Sequence, residues 1–213
     1  PPQGLDAVVH GTRVFGIDVE VEGMVYAAVR HSPIPGGQLT NFAELSVEGT
    51  GADAVVEVPG GIAVVASCYW KANQVVEALD PEFSAPEEAS VFSTEAYRAL
   101  LAETIAGPGM LEAYAEGDLE AGLADAAMTI EASYEVPFLA HACIEPMTAT
   151  AHVEGDSCEM WVPTQNAPKL AGDVAAALGL DEANVVVHRT FLGTGFGRKV
   201  ESDFGIQAAV ISA

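Results

Sequence analysis

The last third of the chain most tightly limits what it can fold into. CEMWVP (158–163) and NVVVHRTF (184–191) read as β-strands, and APKLAGDVAAALGL (167–180) between them reads as a helix. A helix joining two such strands suits a parallel β-α-β unit, because parallel neighbours need a crossover connection. The second strand runs into a turn in which Gly193, Gly195 and Gly197 alternate with Thr194 and Phe196, and SDFGIQAAVISA (202–213) follows as a second helix.

Such a turn has chemical potential. Its glycines permit positive φ and leave backbone N–H groups unshielded, so oxygens of a ligand can approach them. The next helix adds the positive end of its dipole, and Arg198 and Lys199 bring positive charge. A phosphate or oxyanion would fit this cradle. The pattern is neither a P-loop, since G-K-S/T is missing, nor a dinucleotide fingerprint, since the third glycine falls at the wrong offset. A tight strand-to-helix turn with solvated basic residues explains it equally well.

Two other stretches bear on the turn. WVPTQN (161–166) ends a strand and opens a helix, placing Thr164, Gln165 and Asn166 at the helix start. In a parallel unit both strands end on one edge, where ligands usually bind, so Gln165 and the Gly195–Arg198 loop are expected to face one crevice. Alternatively, Gln165 is only a neighbour of the helix cap. YEVPFLAHACIEPMTATAHV (134–153) places Glu145 and Pro146 after an apolar run, where the glutamate caps a turn or pairs with a base.

The rest of the chain divides into two parts. Residues 8–80 hold short strand-like segments, VFGIDVEV, VYAAVRH, ADAVVEVP and GIAVVASC, followed by the helical YWKANQVVEALD, and are expected to form a small α+β module. Residues 81–131 are acidic, with STEAYRALLAETIAG as a helix, and are expected to connect that module to residues 132–213, which begin with a strand at ASYEVPF. The expected fold class is α+β.

Charge and side-chain chemistry narrow the function. With 31 acidic and 8 basic residues and a net charge of −23, the chain is a poor partner for nucleic acid or an anionic membrane. Cys68, Cys143 and Cys158 make neither a disulfide framework nor a metal knuckle, and Cys68 and Cys143 lie in apolar runs that suggest buried thiols. The five histidines lack metal-ligand spacing, and no protein-held metal is expected. No apolar run is long enough to span a bilayer, and PPQGLDAV (1–8) lacks the features of a secretory signal.

In combination, EVPFLAHACIEPMTATAHV, then EMWVPTQN with a helix ending ALGL, then VVVHRTFLGTGFGRK, resemble the molybdenum-binding subunit of the xanthine dehydrogenase and aldehyde oxidase family. The likeness is greatest to the isoquinoline 1-oxidoreductase β-subunit branch and related bacterial aldehyde dehydrogenases. TRVFGIDVEVEGMVYAAVRHSP (12–33) is similar to the start of that family's α/β hammerhead domain. The resemblance thus implies a small hammerhead module followed by the first part of a molybdopterin-binding α+β domain.

It also implies a chemistry. Such enzymes oxidise an aldehyde or hydroxylate an N-heterocyclic aromatic, taking oxygen from water. Gln165 matches the glutamine that hydrogen-bonds a molybdenum oxygen ligand, and Gly193, Thr194, Gly195, Phe196 and Gly197 match the cofactor loop, with Phe196 placed to pack on an aromatic substrate. Arg198 matches the next loop position, within reach of cofactor or substrate. The implied cofactor is molybdenum molybdopterin cytosine dinucleotide, whose dithiolene holds the metal. The implied partners are the remainder of the same subunit, an iron–sulfur subunit or a cytochrome as electron acceptor, and a small-molecule substrate.

The chain departs from the family pattern at three places. Thr194 stands where the family loop has glycine, and a β-branched residue there is expected to need a negative φ. Val200 stands where xanthine-type members carry a substrate-contacting glutamate. The family's catalytic glutamate belongs to a later Gly-rich segment, and neither Glu145 nor Glu201 is its equivalent. The chain is therefore expected to be a middle portion of a longer subunit and inactive by itself. The competing expectation is a non-catalytic acidic scaffold that keeps the fold.

Overall fold

A computed structural model describes residues 4–108, 111 and 113–213 of the protein. Positions 109, 110 and 112 of the expected connecting segment lie outside the described residues. In chain order the elements begin with α1 (Leu5–Val9), β1 (Tyr26–His31), β2 (Gln38–Leu39), β3 (Ala54–Val58), β4 (Gly61–Ala66) and α2 (Tyr69–Ala78). They continue with β5 (Phe83–Ser84), α3 (Glu87–Val91), α4 (Thr94–Ala106), α5 (Leu119–Ala124), β6 (Thr150–Glu154), β7 (Ser157–Val162), α6 (Ala167–Leu178), β8 (Val185–Arg189) and α7 (Asp203–Ser212). The fold is α+β.

These elements form two compact units. One comprises residues 1–86 together with 141–213, and the other residues 87–140. In the second unit Ser93 caps α4, its hydroxyl accepting the Ala96 N–H at 3.0 Å, and Asp118 caps α5 in the same way at 2.9 Å. The expected strand at ASYEVPF (132–138) is not formed: the segment is exposed, with no ladder partner among the described residues.

The first unit contains two three-stranded sheets. In one, β4 lies between β1 and β3, antiparallel to both, and all six of its residues are buried. That burial follows from the continuous apolar run GIAVVA, which suits a strand covered on both faces. Ala72, Val75 and Val76 of α2 pack on Ala28, Ile62, Val64 and Ala66. The expected strand at VFGIDVEV is instead a 3-10 turn at Gly16–Asp18, closed by the Asp18 carboxylate accepting the Phe15 N–H at 2.9 Å. Cys68 is exposed, because the strand ends at Ala66 and the thiol falls in the turn that opens α2. Cys143 is only half-buried.

The other sheet has the order β6-β7-β8, with β6 antiparallel and β8 parallel to β7, and α6 makes the crossover. Alternate β7 residues Cys158, Met160 and Val162 point into a core with Leu170 and Val174 of α6 and Phe204 and Ala209 of α7. Full burial of each large aliphatic side chain here stabilises by about 1.5–3 kcal/mol. The open face pairs Trp161 with His188, stacked at 5.3 Å, and His188 with Glu159 at 2.6 Å. Helix α7 lies against both β3 and β6, so it is apolar around much of its circumference. Its one buried amide, Gln207, donates to the Pro59 carbonyl at 2.8 Å and to His31 Nε2 at 2.9 Å.

Candidate functional site

The parallel pair sets the site. Val162 and Arg189 are in register at the ends of β7 and β8, so the segments that leave the two strands emerge on one edge. After β7, the Asn166 side chain caps α6 by accepting the Lys169 N–H at 3.2 Å, which leaves Gln165 exposed just ahead of the helix. After β8, the chain turns through Gly193–Gly197 into a 3-10 turn at Arg198–Val200.

Gln165 and the glycine turn meet. The Gln165 side-chain carbonyl accepts the Gly197 N–H at 3.1 Å. This bond fixes the amide's orientation, since only the oxygen can accept, and the NH2 group has no partner among the described residues. A Cβ on Gly195 would lie 2.9 Å from the Gln165 Cδ, so the turn approaches the amide closely only because that residue is glycine. The N–H groups of Thr194, Gly195 and Phe196 have no partner among the described residues.

A second segment braces the turn from behind. Glu145 N–H donates to the Gly193 carbonyl at 3.1 Å, Ile144 N–H to the Thr194 hydroxyl at 2.9 Å, and the Cys143 thiol to the Gly195 carbonyl at 3.1 Å. Thr194 has φ +88° and Phe196 φ +49°. The expectation of a negative φ at Thr194 is therefore corrected: its hydroxyl holds a bond that offsets the strain of a β-branched residue in this region. Phe196 is 66 % exposed.

Both basic residues of the turn are paired, Arg198 at the partly exposed surface and Lys199 in the interior. Arg198 makes a bidentate pair with Asp203 at 2.8 and 2.6 Å. That pair raises the Arg198 pKa; at Asp203 burial pushes the pKa up, but the guanidinium and the backbone N–H groups outweigh it and hold it below its usual value. Lys199 is fully buried and pairs with the Glu145 carboxylate. That carboxylate also accepts the Gly193 N–H at 2.7 Å and the Gly16 N–H at 3.2 Å. The α7 dipole, expected to face a ligand, meets Asp203 of its own first turn.

The sequence placed Gln165 beside the turn, and the structure brings them together. It underrated Glu145, Thr164 and Lys199. Thr164 is buried, and its hydroxyl donates to the Lys199 carbonyl at 3.2 Å, while the Gln165 N–H donates to that same carbonyl at 2.9 Å. One signal was present: Lys199 is among only 8 basic residues, and Glu145 follows an apolar run. The N-terminal module also reaches the site, through a bridge between Phe15 and Phe191 and the Arg13 guanidinium 3.9 Å from the Phe191 ring centre.

The site thus holds a glutamine NH2 and three backbone N–H groups without partners among the described residues, with Phe196 exposed beside them. Among the described residues no three His, Cys, Asp or Glu side chains cluster as a metal site, and a metal held by a dithiolene would need none. The fold is an α+β unit built on a parallel strand pair, with Gln165 and the glycine turn on one edge of that pair.

Residues 104–213, a little over half of the chain, match the molybdopterin cofactor-binding domain family, and the chain belongs to that family. It is 28% identical to the isoquinoline 1-oxidoreductase subunit beta of Brevundimonas diminuta over 99% of this chain and 28% of that protein. To the membrane-bound aldehyde dehydrogenase of Gluconacetobacter polyoxogenes it is 25% identical, over 98% of this chain and 28% of that protein. Quinoline 2-oxidoreductase from Pseudomonas putida 86 shares the fold, with a TM-score of 0.68 at 16% identity over 98% of this chain and 31% of that one. The chain spans under a third of the length of these proteins.

Proposed function

We propose that this chain supplies the first part of the molybdenum-cofactor site of an oxidoreductase subunit that oxidises an aldehyde or hydroxylates an N-heterocyclic aromatic, with water as oxygen source. The observation that carries the reading is the Gln165–Gly197 hydrogen bond, which joins two of the three motifs of the family resemblance at one strand edge. In this reading the Gln165 NH2 donates to an oxygen ligand of the cofactor, and the N–H groups of Thr194, Gly195 and Phe196 line the same approach. Gly193 and Gly197 shape the turn. The Phe196 ring packs on the substrate, and Arg198, held by Asp203, closes the turn against α7. The cofactor, as the cytosine dinucleotide, supplies the metal and its redox chemistry when bound, and the protein contributes positioning and electrostatics.

The remainder of the subunit provides the general base and the other pocket walls. An iron–sulfur subunit or a cytochrome accepts the electrons. Thr194, the departure that favoured a scaffold without activity, is accommodated by its bond to Ile144.

The test is Gln165→Ala in the complete protein. Loss of one aimed donor should lower kcat by about 10²–10³-fold while molybdenum content stays at the wild-type level. Unchanged turnover would remove Gln165 from this role.

A further inference from the structure

A buried ion pair is costly to break from one side, because each charge must be compensated where water cannot reach it. Lys199 and Glu145 are 54 residues apart, and both are buried. Their other hydrogen bonds lead to the site and, through Gly16, to the N-terminal module. The Lys199 carbonyl holds the Gln165 N–H and the Thr164 hydroxyl, and the Glu145 carboxylate holds the N–H groups of Gly193 and Gly16. A Cβ on Gly193 would lie 2.9 Å from the Glu145 Cβ, so the two segments are in close contact.

We propose that Lys199 and Glu145 are positioning residues: a single ion pair that fixes Gln165 through the lysine backbone and the glycine turn through the glutamate side chain, and so sets the Gln165–Gly197 geometry. The inference rests on the cofactor-site reading above. It makes the positive charge after the turn a structural tie, with no part in holding an anion.

The test compares two variants of the complete protein with wild type. Glu145→Leu/Lys199→Met removes the pair with little change in volume, and Glu145→Gln keeps the shape and one acceptor oxygen. For the double variant the expected result is wild-type molybdenum content, amide hydrogen exchange over residues 193–200 faster by about tenfold or more, and unchanged exchange in β7 and α6. Its kcat should fall on the order of 10²-fold, as for a displaced positioning group, with KM changed by less than about threefold. Glu145→Gln should lie between the double variant and wild type.

A folded double variant with wild-type loop exchange and kcat would overturn the proposal, as would acceleration spread equally through β7 and α6. If the double variant does not fold, Glu145→Gln decides on the same readouts. If wild type holds no molybdenum, the cofactor reading fails by itself, and loop exchange still decides whether the pair positions the turn.

Discussion

The side-chain carbonyl of Gln165 accepts the backbone N–H of Gly197, 32 residues away, at a point where Gly195 leaves no room for a side chain. Gly195→Ala should therefore act through Gln165. Its added methyl should push the Gln165 side chain aside and cost its hydrogen bond to Gly197, about 0.5–1.5 kcal/mol, and most of that loss should vanish in a Gln165→Ala background. Urea denaturation of the two single variants and the double variant measures the coupling. Strictly additive effects would mean that the turn and the amide are independent.

Thr194 reverses the usual ranking of alanine over glycine. At φ +88° any side chain is strained, and the hydroxyl is the threonine's compensation. Thr194→Ala keeps the strain and loses the exposed bond to the Ile144 N–H, a cost of about 0.5–1.5 kcal/mol. Thr194→Gly relieves the strain while losing the same bond, so its net change should be under about 1 kcal/mol. Thermal unfolding of the pair reads the order, and an alanine variant more stable than the glycine one would contradict the backbone assignment.

Asp203 gives a pH signature. Its carboxyl is held below the ordinary aspartate value of roughly 3.9, so its contribution is complete above that value and is lost as pH falls through the folded-state pKa. The pair is partly exposed, which limits the effect of Asp203→Asn at pH 7 to about 0.2–1 kcal/mol. The difference between variant and wild type should shrink steadily below about pH 4. A difference that stays constant on acidification would show that the charge of Asp203 is not what stabilises the turn.

Breaking the Lys199–Glu145 pair from one side should be far worse than removing it. Lys199→Met leaves a buried carboxylate without its counter-ion, and the expected loss is about 3–5 kcal/mol. Glu145→Leu/Lys199→Met should recover much of it, and the difference in denaturation midpoint between these two variants is the measurement. A double variant as unstable as the single one would mean that the lost N–H acceptors, and not the charges, cause most of the destabilisation.

The parallel unit was legible because its signals are local. Apolar strands on either side of a helix that begins at Asn166 and ends at Gly179 leave few topologies, and they put Gln165 on the same edge as the turn. The inward path of the basic residues was not legible. A lysine after a glycine run is solvated by default, and only the arrival of the Glu145 carboxylate from a distant segment makes a buried ammonium tolerable. The same distance hid the 3-10 turn at Gly16: a Cβ there would lie 2.8 Å from Pro163, a contact that no local pattern announces. Cys68 misled for a different reason, because its apolar neighbours stop just before the chain turns outward.

Whether the edge formed by Gln165 and the Gly193–Arg198 turn belongs to a molybdenum-cofactor site is decided by the metal itself. The molybdenum and released-nucleotide content of the complete protein should be measured after purification from a host that makes the molybdenum pterin. Near-stoichiometric molybdenum accompanied by cytidine monophosphate is the expected result. A folded, fully matured protein without molybdenum would refute the cofactor-site reading.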